Sequence, residues 1–92
     1  MLKKQNKKDG GIKVTFVLPM SDCPGSTSVV GSFNDWDAMS HPLKKRSNGT
    51  RSVSVDLAAG DFVEFRYLND TGDWFNDADA ETNEAGNSTI SL

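Results

Sequence analysis

The chain has 92 residues, a formal net charge of −3, one cysteine and one histidine. A chain of this length forms a single domain and buries only about 60 to 65% of its unfolded surface, which excludes a deep, enclosed active site. Lys3, Lys4, Lys7 and Lys8 crowd the start and leave the remainder at net −7, so the body lacks the clustered cations that replace phosphate counterions in a nucleic-acid-binding protein.

Residues 1–11 are polar and lysine-rich and read as a disordered tail, because such segments do not recover the entropy lost on ordering. A β-rich body over residues 12–92 follows. Ile12, Val14, Phe16 and Leu18 alternate with Lys13, Thr15 and Val17, the period-2 pattern of a half-buried strand. Pro19 stops it. Met20 to Ser26, with Cys23-Pro24-Gly25, is a loop by its turn residues. Next comes Val29-Val30-Gly31-Ser32-Phe33, alternating again, with Val29, Gly31 and Phe33 on one face. Asn34-Asp35 ends that run as a corner, since both side chains bond to nearby backbone and tolerate unusual dihedrals. Trp36 stands just beyond it, either folded back onto the core or presented as a platform.

Asn48-Gly49 is the strongest hairpin signal and predicts a type I′ turn joining Leu43–Ser47 to Thr50–Leu57, where Val53, Val55 and Leu57 face inward. After a corner at Ala58-Ala59-Gly60, a strand over Asp61–Leu68 turns Val63, Phe65 and Tyr67 in and Glu64 and Arg66 out. Asn69-Asp70-Thr71-Gly72 makes another turn, Trp74-Phe75 a short strand, and Ser88–Leu92 a closing strand with Ile90 inward. Short strands separated by Gly, Asn, Asp and Pro corners, with no helical periodicity, predict an all-β antiparallel sandwich. Val14, Phe16, Val29, Phe33, Val53, Val55, Val63, Phe65, Tyr67 and Ile90 are its expected core.

Catalysis is not expected. His41 precedes Pro42 in an irregular loop without a nucleophile motif, and the carboxylates fall in turns and at polar strand positions rather than as a buried pair flanking a cleft. Asp77, Asp79, Glu81 and Asn83 alternate like a calcium loop, but Thr82 and Ser88 stand where that loop needs glycine and glutamate. No metal and no cofactor are expected. Cys23 alone forms neither an internal disulfide nor a structural zinc site, which fits a reducing compartment. No run approaches the roughly 20 apolar residues of a membrane span, and the start lacks a signal-peptide core. The expectation is a cytoplasmic protein with no membrane and no nucleic-acid partner.

The informative set is Trp36, Arg66 and Trp74 with Asn76 and Asn87. Flat rings cover the apolar C–H faces of sugars while a few amides and a cation orient the hydroxyls; the competing reading puts Trp74, beside Phe75, in the core. Val29–Trp36, Pro42-Leu43, Val53-Ser54-Val55-Asp56-Leu57, Gly60, Phe65-Arg66-Tyr67-Leu68-Asn69-Asp70, Trp74 and Asn76-Asp77 together resemble the family-48 carbohydrate-binding module. That group includes the glycogen-binding domain of the AMP-activated kinase β subunit and the N-terminal early-set domains of isoamylases and branching enzymes. The resemblance covers about residues 12–92. It implies an immunoglobulin-like sandwich and binding of α-1,4-glucan, as polysaccharide or oligosaccharide, through Trp36, Arg66, Trp74 and Asn87. It also implies association with a glycoside hydrolase or transferase; a monomer is expected. Two departures stand out: Arg66 replaces a lysine, and the leucine that glycogen-binding members carry before the last strand has no counterpart among Asn83, Glu84 and Ala85. The alternative is an interaction or structural domain that keeps the sandwich without the sugar site.

Overall fold

The computed structural model describes residues 2–19, 25–78 and 80–92. The expected loop around Cys23 and Pro24 lies largely outside the described residues, as does Asp79 of the calcium-like run. Among the described residues nine strands run in chain order: β1 (Leu2–Asn6), β2 (Gly11–Pro19), β3 (Thr27–Gly31), β4 (Lys44–Lys45), β5 (Thr50–Ala58), β6 (Phe62–Asn69), β7 (Trp74–Phe75), β8 (Glu81–Thr82) and β9 (Ser88–Ser91). One sheet has the order β1-β2-β5-β4 and the other β3-β6-β9-β8, with β7 also paired to β6. Every pairing is antiparallel. The protein is an immunoglobulin-like β-sandwich. Among the described residues no helix is long and apolar enough to cross a membrane.

The period-2 pattern decides which face each strand buries. Ile12, Val14 and Phe16 pair with Leu57, Val55 and Val53, so one side of the first sheet is apolar along both of its long strands. Val29, Phe65, Tyr67 and Ile90 face them from the second sheet in one core cluster. Phe16, Phe65 and Tyr67 form its centre, with Phe16 edge-on to Phe65 at 5.1 Å and Phe65 edge-on to Tyr67 at 5.7 Å, the geometry that sets positive ring edges against negative faces. Phe33 and Val53, expected in the core, are only partly buried at its margin. Ile12, Leu18 and Leu43 are buried with it.

Three local expectations are corrected. The start of the chain forms an edge strand rather than a disordered tail: Leu2 to Asn6 pair with Phe16 to Ile12. Lys7 N donates to Gly11 O at 2.9 Å to close the hairpin. The pairing satisfies the backbone of β2, Leu2 packs against the core, and lysines suit an edge because they discourage further strand addition. Second, β3 stops at Gly31, and Ser32–Asn34 form a 3₁₀ turn where the strand was expected to continue. Third, the β4–β5 hairpin falls where Asn48-Gly49 predicts it, but only Gly49 has positive φ. A type I′ turn needs it at both residues. Arg46 N bonds Thr50 O and Gly49 N bonds Arg46 O instead, the longer loop that ends in a left-handed glycine.

Candidate functional site

The outer face of the second sheet gathers Arg66, Trp74, Asn76 and Asn87, and Trp36 stands at the end of β3. Its geometry starts at Gly31. A Cβ there would lie 2.9 Å from Phe65 Cβ and closer still to the Glu64 carbonyl, so only glycine lets β3 approach β6 this nearly. Asn34 then folds back, with Oδ1 accepting from Gly31 N at 3.0 Å and Nδ2 donating to Val29 O at 3.2 Å. The Asn34 amide also meets His41 Nδ1 at 2.9 Å. These bonds turn the chain so sharply that Asp35 and Trp36 both adopt left-handed dihedrals, with φ of 55° and 58°. Asparagine and aspartate tolerate that region; tryptophan rarely enters it, and the penalty is about 1–2 kcal/mol. Trp36 N is anchored to Gly31 O at 2.9 Å, and its side chain is left 41% exposed.

The segment after Trp36 is pinned by Asp37, whose carboxylate accepts from Met39 N at 2.9 Å and from Ser40 Oγ at 3.0 Å. The Met39 backbone bond first, and the Ser40 hydroxyl second, hold the Asp37 carboxyl below its usual value.

Trp74 comes to the same sheet by register. It pairs with Leu68 while Phe75 pairs with Tyr67, so Phe75 points inward, with its ring centre 5.3 Å from that of Tyr67, and Trp74 points outward. Trp74 is 48% exposed. The core placement considered for it is therefore taken by its neighbour.

Arg66, Asn76 and Asn87 meet around one turn. Asn83 N donates to Asn87 O and Gly86 N to Asn83 O, while Asn83 Oδ1 accepts from Asn87 N at 3.0 Å. Arg66 Nη2 donates to Ala85 O at 3.0 Å and Asn76 Nδ2 to Gly86 O at 2.8 Å. A Cβ at Gly86 would sit 2.8 Å from Arg66 Nη2, and φ there is +82°, so the glycine serves both the turn and the seat of the guanidinium. Arg66 Nε is buried, with no hydrogen-bond partner among the described residues. Arg66 thus lies on the outer face, as the alternation predicts, but half-buried and engaged with the turn rather than fully extended into solvent.

Beneath this turn Asn76 Oδ1 accepts from Ser88 Oγ at 2.9 Å, Ser88 Oγ accepts from Asp77 N at 3.1 Å, and Asp77 Oδ2 accepts from Tyr67 Oη at 2.5 Å. This buried chain of polar groups ties the surface amides to the central core ring. It also turns Asp77 inward, away from the calcium-like run.

The structure brings Arg66, Asn76 and Asn87 together and sets Trp74 two residues along the same face. Trp36 is held at the end of β3, with no hydrogen bond or ring contact to Arg66 or Trp74 among the described residues. Sequence reasoning missed Asn83, which caps the turn and also donates to the Glu64 carboxylate; the Asn83-Glu84-Ala85-Gly86-Asn87 spacing signals such a turn. It also missed Val30, which pairs with Arg66 on the outward side and is fully buried outside the core cluster. The outer face is therefore covered at Val30, on the edge strand β3.

Fold and surface define an all-β sandwich with an aromatic and amide-bearing outer face. The chain is 33% identical over 75 residues, 80% of its length, to the 1,4-alpha-glucan branching enzyme GlgB of Prochlorococcus marinus (strain NATL1A). It spans 9% of the length of that enzyme. No protein-family profile matches the chain. The similarity relates this domain to a small part of a 1,4-alpha-glucan branching enzyme.

Proposed function

We propose that this chain is a non-catalytic α-glucan-binding module of the family-48 type, recognising glycogen, starch or malto-oligosaccharide. The observation that carries this reading is the exposure of Trp74 two residues along the face from one guanidinium and two side-chain amides, with Trp36 exposed at the end of β3. Exposed aromatic rings offer apolar surface to a partner, and sugar rings have the apolar faces and peripheral hydroxyls that such a surface matches. Similarity to a 1,4-alpha-glucan branching enzyme supports the same ligand class. Arg66, Asn76 and Asn87 serve as orienting groups, Arg66 mainly by fixing the turn that carries Asn87.

Asp77, the only buried acid among the described residues, is committed to Tyr67, and Glu64 bonds Asn83. This supports binding without bond cleavage. The module acts in the cytoplasm as a monomer that localises a glycoside hydrolase or transferase on glucan.

A shallow site of this kind should bind with a dissociation constant of about 1 μM to 1 mM, or roughly −8 to −4 kcal/mol. Titration of the isotopically labelled chain with maltoheptaose or β-cyclodextrin should shift the indole N–H signals of both tryptophans. Absence of any shift at millimolar ligand would overturn the proposal and leave the interaction-domain alternative.

A further inference from the structure

The outer face of the first sheet carries a feature that the glucan surface does not use. Of the ten Lys and Arg residues, all but Arg66 lie in β1, β2, β4, β5 or the two hairpin turns within that sheet. Only two of the thirteen acidic residues, Asp9 and Asp56, share those segments. Both acids lie against one cation, with Lys7 Nζ 3.7 Å from Asp9 and 3.3 Å from Asp56.

Register sorts the remaining cations. Lys3 pairs with Thr15, and Lys13 pairs with Asp56. Thr15 and Ser54 bond to each other through their hydroxyls at 2.9 Å on the side away from the core. Lys44 pairs with Ser52, and Arg46 Nε donates to Ser52 Oγ at 2.8 Å, which lays its guanidinium on that side too. Lys3, Lys13 and Lys44 are exposed and form no ion pair among the described residues. With strands about 4.8 Å apart and same-face residues about 7 Å apart along a strand, the three lysines and Arg46 cover a patch roughly 15 Å across.

We propose that this face docks a short acidic segment of another protein. The surroundings select that occupant. The patch is flat, with Thr15, Ser52 and Ser54 between the cations. Val17, half-buried, is the largest apolar side chain on it, so it offers no ring for stacking bases and no wedge for a bilayer. A nucleic-acid duplex carries a charge about every 1.7 Å along its axis and would extend past the patch onto the acidic remainder of the domain. A segment of a few Asp and Glu residues fits within the patch and meets four unpaired cations there.

The test uses the intact chain and a fluorescein-labelled poly-L-glutamate peptide, followed by anisotropy. Binding is expected at about 20 mM salt and should fade by about 500 mM, where screening reaches only a few ångströms. Lys13→Glu/Lys44→Glu should weaken it about tenfold or more. Lys8→Glu/Lys45→Glu changes net charge equally but falls off the face, so it should alter binding by less than about twofold. Lys13→Gln/Lys44→Gln should give a smaller loss of the same sign, and a preserved melting temperature marks each variant as folded. Equal losses in the two Glu pairs, no binding at low salt, or tighter binding to duplex DNA or to phosphatidylserine vesicles would each overturn the proposal. Because no step involves Trp36 or Trp74, maltoheptaose titration of the Lys13→Glu/Lys44→Glu chain reports on glucan binding separately.

Discussion

The two sheets bury the same kind of side chain inward and present opposite chemistry outward. On the first sheet the outer positions are lysines among threonines and serines, and Lys3, Lys13 and Lys44 form no ion pair among the described residues. On the second they are Trp74, Arg66, Asn76 and the Asn83–Asn87 turn, and hydrogen bonds tie several of them back through Asp77 to Tyr67 in the core. The difference teaches where the fold fixes geometry and where it only supplies a flat scaffold. A face built on a bonded turn holds its groups in one arrangement, which suits a ligand with defined hydroxyl positions. A face of free lysines suits a partner recognised by charge.

Removing the shared core should erase both faces together. Phe65→Ala deletes the ring that touches Phe16 and Tyr67, and should cost about 3–5 kcal/mol, a large share of the stability of so small a domain. Thermal melting and the loss of both glucan and oligoglutamate binding would register it. A loss below about 1 kcal/mol would show that the packing centre lies elsewhere.

Removing the rings should separate the faces. Trp36→Ala and Trp74→Ala should lower maltoheptaose affinity from severalfold to beyond detection while moving the melting temperature only a few degrees and leaving the lysine face intact. Trp36→Gly sharpens the comparison, because glycine accepts φ near 58° without penalty. It should lose the ligand yet melt no lower than Trp36→Ala; a large drop would mean that the ring is structural.

A subtler break targets the turn. Gly86→Ala adds a Cβ at positive φ against Arg66 Nη2, and Arg66→Ala removes the bond to Ala85. Each should weaken glucan binding less than loss of a tryptophan does, with chemical-shift changes concentrated at Asn76 and Asn83–Asn87. If Arg66 acted as a free hydroxyl donor instead, Arg66→Ala would reduce affinity without disturbing that turn.

The smallest expected effect is acid sensitivity at the Trp36 turn. The folded-state pKa of Asp37 is depressed from its ordinary 3.8 by the Met39 and Ser40 bonds, so its contribution is present above that value and lost as pH falls through the lower folded value. Melting curves between about pH 5 and pH 2 should therefore show a slightly shallower acid decline for Asp37→Asn than for the parent.

Much of this was legible in the chain. Alternation alone assigned the inward faces of β2, β5 and β6, because a half-buried strand has only one period available to it. The pair Trp74-Phe75 was legible only up to a choice: one ring had to face in, and pairing of Phe75 with Tyr67 made it the second. The Asn34-Asp35 corner was readable as a stop, but the left-handed pair Asp35-Trp36 was not, since those dihedrals depend on Asn34 reaching back to Val29 and across to His41. The sequence by itself determined the all-β sandwich and its core parity, both of which follow from local periodicity and turn chemistry, and it left the exposure of Trp36 and Trp74 open. Only the tertiary structure decided that the lysine-rich start is a strand, that Val30 is covered, and that Arg66 is tied to Ala85. Each of these depends on a partner at least 6 residues away in sequence, and local propensity carries no information about which distant segment will supply it.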